Sequence, residues 1–438
     1  MTERLKEITY ETCEPTEDPL KFLDRMFEKY GDFVGYKSGY GNMVLLNHPD
    51  GVKAAIKDKH LIRTPLLQLV LGMSILTSDG PYWHNQRRIA QPTFHAHCLP
   101  GFAQIIINAT EQKIDQWEAT GQTNASLDIS QEMRLLTMQI ITKSLFSLDL
   151  DFQEVKDWDA ILHTLICDAS PFVLAQFNVA SSIKKTRNAE FHESLNKMEE
   201  KIYAFITKRR DQKDPPRDLL SALLNGTVKE TGEPLTDKQV RNEIITMLIA
   251  GHETTAIAIA WCFDELNKHP EIKDELIHET DILLKGKPPS HEQLSQLKKQ
   301  RQVIDEALRL HSPLWFVSRV AEKETSIAGY RIPEKTIVIV SSHITHRHPE
   351  FWDEPNTFKP SRFSMGSINQ KHPNAYFPFF GGRHICIGND FAIMEIQLIL
   401  SILFQHYKIE PVDGSFGEAS PGSTLRMKRD LLISLTKR

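Results

Sequence analysis

The chain has 438 residues, 40% of them hydrophobic and 25% charged, which excludes a disordered, collagenous or disulfide-stapled protein. Its 52 Lys and Arg against 57 Asp and Glu leave a formal charge of -5, so there is no surplus of positive charge to hold a nucleic acid. Five cysteines (Cys13, Cys98, Cys167, Cys262 and Cys386) stand far apart with no CxxC pair. That spacing argues against a disulfide framework and a thiol-rich zinc site, and a reducing cytoplasm is the expected setting.

Residues 1–20 are charged and lack an apolar core, so they are expected to form an N-terminal extension, neither signal peptide nor membrane anchor. Later apolar runs, such as Leu66–Leu76 with Gln68 inside it, fall short of the roughly 20 residues that cross a bilayer. No repeat or Gly/Ser-rich linker divides the chain, and the polar cluster 211–216 (DQKDPP) is too short to separate domains. One large domain over residues 1–438 is expected. Most of the first 310 residues read as helix. The clearest helix starts at Thr236, which offers a capping box with Gln239. Apolar residues recur from Ile244 to Trp261, and Pro270 ends the run near 267–269. Roughly 30 residues at 1.5 Å each span about 45–50 Å, and a helix apolar on nearly all sides is a central, buried one. A second helix is expected over Lys299–Leu310, ending before Pro313. Residues 326–333, 336–340 and 431–436 then read as short strands. The expected fold class is mainly α with small, late β-sheets (α+β).

The most informative segment is 377–388, FPFFGGRHICIG, followed by the apolar, helix-like Asn389–Leu400. Cys386 lies between Gly382 and Gly388 just before that helix, where unsatisfied N–H groups and the positive dipole end favour a thiolate. A thiolate suits iron, and the glycines let a flat macrocycle approach the backbone. A buried structural cysteine is the alternative on the same residues. The pattern Phe379-x-x-Gly382-x-His384-x-Cys386-x-Gly388 resembles the haem-ligand loop of the cytochrome P450 family, the haem-thiolate monooxygenases. Four further segments match in the family's order, so the resemblance runs from near residue 20 to the end.

In the middle of the long helix, Ala250-Gly251-His252-Glu253-Thr254-Thr255 is similar to the family's oxygen-activation motif. Ala250 and Gly251 leave room above a haem, and the resemblance implies that Glu253 and Thr254 form a carboxylate–hydroxyl relay for protons. A zinc-protease reading of His252-Glu253 fails, because position 256 is Ala. Glu306-Ala-Leu-Arg309 and Pro360-x-Arg362-Phe363 match the family's buried Glu–Arg–Arg cluster, which implies structural roles for Glu306, Arg309 and Arg362. Trp83 and Arg87, one helical turn apart, match its grip on one haem propionate, and Arg319 stands in the place of the other grip. His384 stands where Arg is commoner, as in a bacterial subset of the family, and is kept as a propionate contact. Phe380 replaces a frequent glycine. His343, His346 and His348 have metal-like spacing but lie where the family has a strand end, so they are read as structural.

The resemblance implies a cytochrome P450 fold with the long helix over haem b, Cys386 as the axial thiolate ligand of the iron, and O2 as co-substrate. It implies a soluble, monomeric monooxygenase of bacterial secondary metabolism. The chain offers no phosphate loop or Gly-rich nucleotide turn, so NAD(P)H and flavin are expected on a partner, a ferredoxin or flavodoxin with its reductase. Arg88 and Arg383 are expected to point outward on the docking face. The substrate pocket is expected to take Leu248, Ala250, Leu314, Trp315, Phe316, Val317 and Thr424, with walls from 66–76 and 170–179. That apolar set suits a lipophilic small molecule such as a terpene, fatty acid or polyketide. Two rivals are a peroxide-using haem-thiolate enzyme and a non-catalytic haem- or lipid-binding protein, and the Glu253–Thr254 pair argues against both.

Overall fold

The computed structural model describes residues 5–13, 18–121, 126–179, 189–364, 372–412, 414 and 416–438. Two end signals bound its longest helix. The Thr236 side chain accepts from the Gln239 N–H while Gln239 bonds back to the Thr236 backbone, and His269, just before Pro270, leaves helical geometry. The 32 residues between reach about 48 Å. Six long helices wall a central cavity: α1 (Gly80–Ala90), α2 (Ile129–Phe146), α3 (Phe152–Leu174), α4 (Asp237–Lys268), α5 (Lys298–Leu310) and α6 (Asn389–His406). The central helix α4 packs along α2 so closely that a Cβ added at Gly251 would sit 2.6 Å from Ile141 Cδ1.

Among the described residues two helical segments, Phe152–Phe177 and Asp237–Lys268, are long and apolar enough to cross a membrane, which corrects the expectation that every apolar run falls short. In the second, 78% of the apolar window is buried inside the protein, so core packing accounts for its composition. The first is 44% buried, and residues Leu165, Ile166, Ala169 and Val173 of its inner side line the cavity.

Among the described residues the early strands are β1 (Tyr10–Thr12), β2 (Phe33–Ser38), β3 (Gly41–Leu46), β4 (Leu61–Arg63) and β5 (Leu127–Asp128). Later come β6 (Val317–Ala321), β7 (Thr325–Ile327), β8 (Tyr330–Ile332), β9 (Ile337–Val340), β10 (Tyr407–Pro411), β11 (Ala419–Pro421), β12 (Leu425–Met427) and β13 (Leu432–Lys437). The largest sheet has the order β1-β2-β3-β9-β6-β4; a second is β10-β13-β5, and β7–β8 and β11–β12 are two-stranded ribbons.

Four strands of the largest sheet precede residue 64, so the expectation of a late β portion is corrected. The signal was present: β2 and β3 are separated by Gly39-Tyr40 alone, with Ser38 opposite Gly41, the two-residue spacing of a hairpin. What hid β3 is that both faces of the sheet are covered. Met43 and Leu45 enter one cluster with Phe22 and Trp315, and Val44 and Leu46 enter another with Ile327 and Ile332. A strand buried on both faces reads as a continuous apolar run without alternation. The N-terminal segment is likewise more than an extension. β1 runs parallel to β2 with Tyr10 opposite Gly35, and Ile8 and Thr9 lie where a Cβ at Gly35 would be.

Candidate active site

A cavity of about 410 Å³ lies between α4 and the loop that precedes α6, with Cys386 in its lining. The loop is shaped by its own backbone. The Cys386 N–H donates to Phe379 O at 3.0 Å, and the Ile385 N–H donates to Gly382 O at 3.2 Å. Gly382 sits at φ +62°, and a Cβ there would stand 2.6 Å from Ile56 Cγ2, so both conformation and space require glycine. Gly388 caps α6 at φ -98°, where neither demand applies. Phe380 takes φ +58°, the left-handed region a glycine would favour there.

The Cys386 side chain is open to the cavity, yet the protein around it pushes the thiol above its ordinary range. The Gly388 N–H and the Arg87 guanidinium oppose that push without overcoming it. The helix-end N–H favours the thiolate, as expected, but burial outweighs it, and a coordinated metal cation is what would hold the sulfur deprotonated.

Cationic groups collect at one edge of the cavity. Arg63 on β4 is paired directly with Arg319 on β6 across the antiparallel ladder, and both line the cavity. Burial, with the charge of Arg319 added, lowers the Arg63 pKa to about 9; burial lowers that of Arg319 to about 10. Like charges set opposite one another oppose pairing, and both guanidiniums stay charged at pH 7, with Asp79 offsetting part of the cost. Arg63 donates to Ile75 O at 2.5 Å and Ser78 O at 2.7 Å. Arg87 donates to Ile385 O at 3.0 Å, which ties α1 to the cysteine loop. The Trp83 ring lies 4.7 Å from that of His384. Burial holds His384 down to about 4, despite Asp79, with Nε2 3.1 Å from Asp79 Oδ1. His384 is thus a neutral polar contact at pH 7, and its grip on an anion carries no charge.

On the opposite wall, Ala250, Gly251, Glu253 and Thr254 all line the cavity. The Thr254 hydroxyl donates to Ala250 O at 2.6 Å. Glu253 is engaged elsewhere: Thr424 Oγ1 donates to its Oε1 at 3.1 Å, and Arg426 on β12 forms a close ion pair with the same oxygen. Glu253 and Thr254 are thus held by separate attachments, the hydroxyl on α4 and the carboxylate by Thr424 and β12. Leu314, Phe316, Val317 and Thr424 line the cavity, as do Leu66, Leu71 and Ile75. Two expected lining residues do not. Leu248, 2% exposed, lies two residues and so some 200° around α4 from Ala250, in the helical core. Trp315 turns into the core beside Phe177, with Nε1 donating to Gly422 O at 3.0 Å.

Below the cavity the structure brings Glu306, Arg309 and Arg362 together. Arg309 Nε and Nη2 donate to the two Glu306 oxygens at 2.7 and 2.8 Å, and Arg362 Nε donates to Oε1 at 3.2 Å. His343, His346 and His348 are separately occupied, by Asp24, by the Arg309 and Phe377 backbones, and by Asp32. No cluster among the described residues has the make-up of a metal site.

Sequence reasoning missed Arg63, Arg426 and a fastening of the cavity wall. Along the first turns of α4, Arg241 donates to Val70 O at 3.3 Å and Asn242 to Met73 O at 3.0 Å. Glu243 accepts from the Ile75 N–H at 2.9 Å. Only the register β4–β6 could have marked Arg63, and no local pattern marks the other contacts.

The donor set fits a flat, iron-bearing group with anionic arms: a sulfur on one side, apolar walls, and two half-buried guanidiniums at one edge, with Asp79 nearby. Comparison with known proteins agrees. The Cytochrome P450 family model matches residues 9–431. Cyclooctat-9-en-7-ol 5-monooxygenase of Streptomyces melanosporofaciens is 31% identical over 402 residues, 91% of this chain and 86% of the relative. Cyclooctatin synthase of the same organism is 28% identical over 91% of this chain and 87% of its own length. Cytochrome P450 4F12 of Homo sapiens is 28% identical over 91% of this chain and 81% of its own length. The crystal structure of the cytochrome P450DA heme domain superposes with a TM-score of 0.86 at 23% identity, covering 100% of this chain and 99% of that one.

Proposed function

The chain belongs to the cytochrome P450 family, and from that premise we propose that it inserts one atom of dioxygen into a lipophilic small molecule, by hydroxylation or epoxidation. It is a haem-thiolate oxidoreductase that incorporates oxygen. The observation that carries the finer reading is the joining, in one apolar cavity, of the Cys386 sulfur, two opposed arginines and the Glu253–Thr254 pair. Haem b, once bound, would supply activation of dioxygen and oxidation of the substrate, chemistry that a cysteine thiolate ligand such as Cys386 favours.

This chain's own residues supply the rest. Cys386 would give the sulfur ligand, while Arg63, Arg87 and Arg319 would receive the propionate charges, with Trp83 and His384 as neutral neighbours. Such pairs are charge-assisted and stronger than neutral hydrogen bonds. The apolar walls exclude water and orient the substrate. Thr254 presents a hydroxyl at the cavity surface, and Glu253 is the carboxyl from which a proton reaches it. The name of the first relative, with its ring alkene and hydroxyl, supports a carbocyclic alcohol among the lipophiles to be screened. Product labelled from 18O2 under NADPH with surrogate redox proteins is the expected result. Product that forms only with added peroxide would overturn the reading.

The Thr254→Ala enzyme is expected to keep consuming NADPH while product per NADPH falls at least roughly tenfold, because a positioned proton donor contributes about 10²–10⁴-fold. Equal coupling in mutant and wild type would remove Thr254 from the relay.

The protein acts as a monomeric, single-domain enzyme of the cytoplasm; its five free cysteines support the reducing compartment. Its electrons come from a ferredoxin or flavodoxin with its reductase. Arg88 and Arg383 are exposed beside the cysteine loop and α1, and Arg88 also donates to Thr227 O at 2.7 Å. Against a net charge of -5, an acidic donor needs such a local basic patch. Arg88→Glu or Arg383→Glu should slow reduction at low salt without changing substrate affinity. The difference should vanish near 1 M salt, where the Debye length is about 3 Å. Wild-type reduction rates in both variants at low salt would put the docking face elsewhere.

A further inference from the structure

Arg426 lies on β12, 173 positions from the carboxylate it holds. Its Nε and Nη2 reach Glu253 Oε1, while Nη1 donates to Cys167 Sγ at 2.9 Å and meets His163 Nε2 at 3.3 Å. One guanidinium therefore joins the hairpin β11–β12, the central helix α4 and α3, the helix whose Ile166, Ala169 and Val173 line the cavity. The hairpin is tied to α3 a second time, since the Ser423 N–H donates to Ser170 Oγ at 3.0 Å. Thr424, two residues before Arg426, adds its hydroxyl to the same Glu253 oxygen at 3.1 Å. The other oxygen, Oε2, is buried without a partner, and the Thr254 hydroxyl is spent on Ala250 O. The carboxyl is thus fixed through one oxygen and unengaged through the other.

We propose that Arg426 is the positioning residue for proton delivery. It holds Glu253 by Oε1, with Oε2 left to receive and pass a proton toward Thr254, and it makes the carboxyl's place depend on where α3 stands. A buried carboxylate stripped of its counter-charge becomes costly to keep ionised, so without Arg426 the group neither stays placed nor recharges between turnovers. This rests on the reading of Glu253 and Thr254 as the proton path.

The test uses haem-loaded enzyme with surrogate redox proteins. Product per NADPH and the solvent isotope effect on turnover are measured for wild type, Arg426→Gln, Arg426→Lys, Glu253→Gln and the Glu253→Gln/Arg426→Gln double variant. Arg426→Gln should lower product per NADPH about tenfold and raise the isotope effect, less than the roughly 10²–10⁴-fold a placed acid itself contributes, because Arg426 acts through Glu253. Arg426→Lys, which keeps a cation beside Glu253 but loses the forked geometry, should recover part of that loss. The double variant should be no worse than Glu253→Gln alone, since residues acting as a unit are not additive. An unaltered Soret band in the reduced carbonyl complexes checks that haem is held alike, which a merely structural arginine would not ensure. Wild-type coupling in Arg426→Gln, or a further loss on adding it to Glu253→Gln, overturns the proposal. A wild-type enzyme that makes no product from dioxygen overturns the functional reading itself, so the two failures differ.

Discussion

Cys386→Ala yields a protein that folds, takes up haem weakly and lacks the red-shifted Soret band of the reduced carbonyl complex peculiar to thiolate haem. The reasoning is local. Cys386 is in the cavity lining, and the other four cysteines lie elsewhere along the chain, none of them in that lining. The backbone that shapes the loop does not depend on the sulfur: Cys386 contributes its N–H to Phe379 O, and Arg87 grips Ile385 O. Alanine keeps both bonds, so the loop survives while its one soft ligand is lost. Product formation under NADPH should fall to background, since the thiolate's electron donation goes with it. A mutant that keeps the red-shifted band would move the iron ligand to another residue.

Arg309→Leu is expected to cost about 3–5 kcal/mol of unfolding free energy, the usual result of breaking a buried pair by removing one partner. Arg309 and Glu306 are both fully buried, and the arginine also donates to His346 O at 2.8 Å and Pro355 O at 2.7 Å. Leucine leaves a buried carboxylate facing Arg362 and the Lys359 N–H alone. The damage extends toward the cysteine loop through one imidazole. His346 Nδ1 faces Arg309 O at 3.3 Å and Nε2 accepts from the Phe377 N–H at 2.9 Å. Burial and the Arg309 charge hold its pKa down to about 3, which keeps the ring neutral and able to do both. Denaturant unfolding followed by haem absorbance should show the lower midpoint together with earlier haem release. A loss below 1 kcal/mol would mean the cluster is dispensable.

Much of this site could be read from residue order alone. Thr236 and Pro270 bounded α4, Pro313 bounded α5, and the spacing around Cys386 singled out the loop. Those signals are local, each within a few residues of what it marks. The misses are of another kind. Leu248 and Trp315 were assigned by segment, but a two-residue step on a helix or a side-chain turn in an extended stretch reverses the face presented. Arg63 matters because Arg319 stands across a ladder formed 256 positions away in sequence, and Arg426 because a late ribbon reaches the middle of α4. No single stretch of sequence contains either pairing.

Phe380 gives the cysteine loop a mechanical property that a glycine would not. A residue bearing a Cβ at φ +58° is disfavoured by about 1–2 kcal/mol, and the ring offsets this where it lands. It packs with Ala54 and Ile56 against the sheet cluster of Val44 and Leu46, and the Arg319 guanidinium lies 4.9 Å from its centroid. The loop is thereby pinned at two points, its own Cys386–Phe379 bond and a hydrophobic foot set into the sheet that carries Arg63 and Arg319. The span from sulfur to guanidinium is consequently set by side-chain packing as well as by the loop backbone.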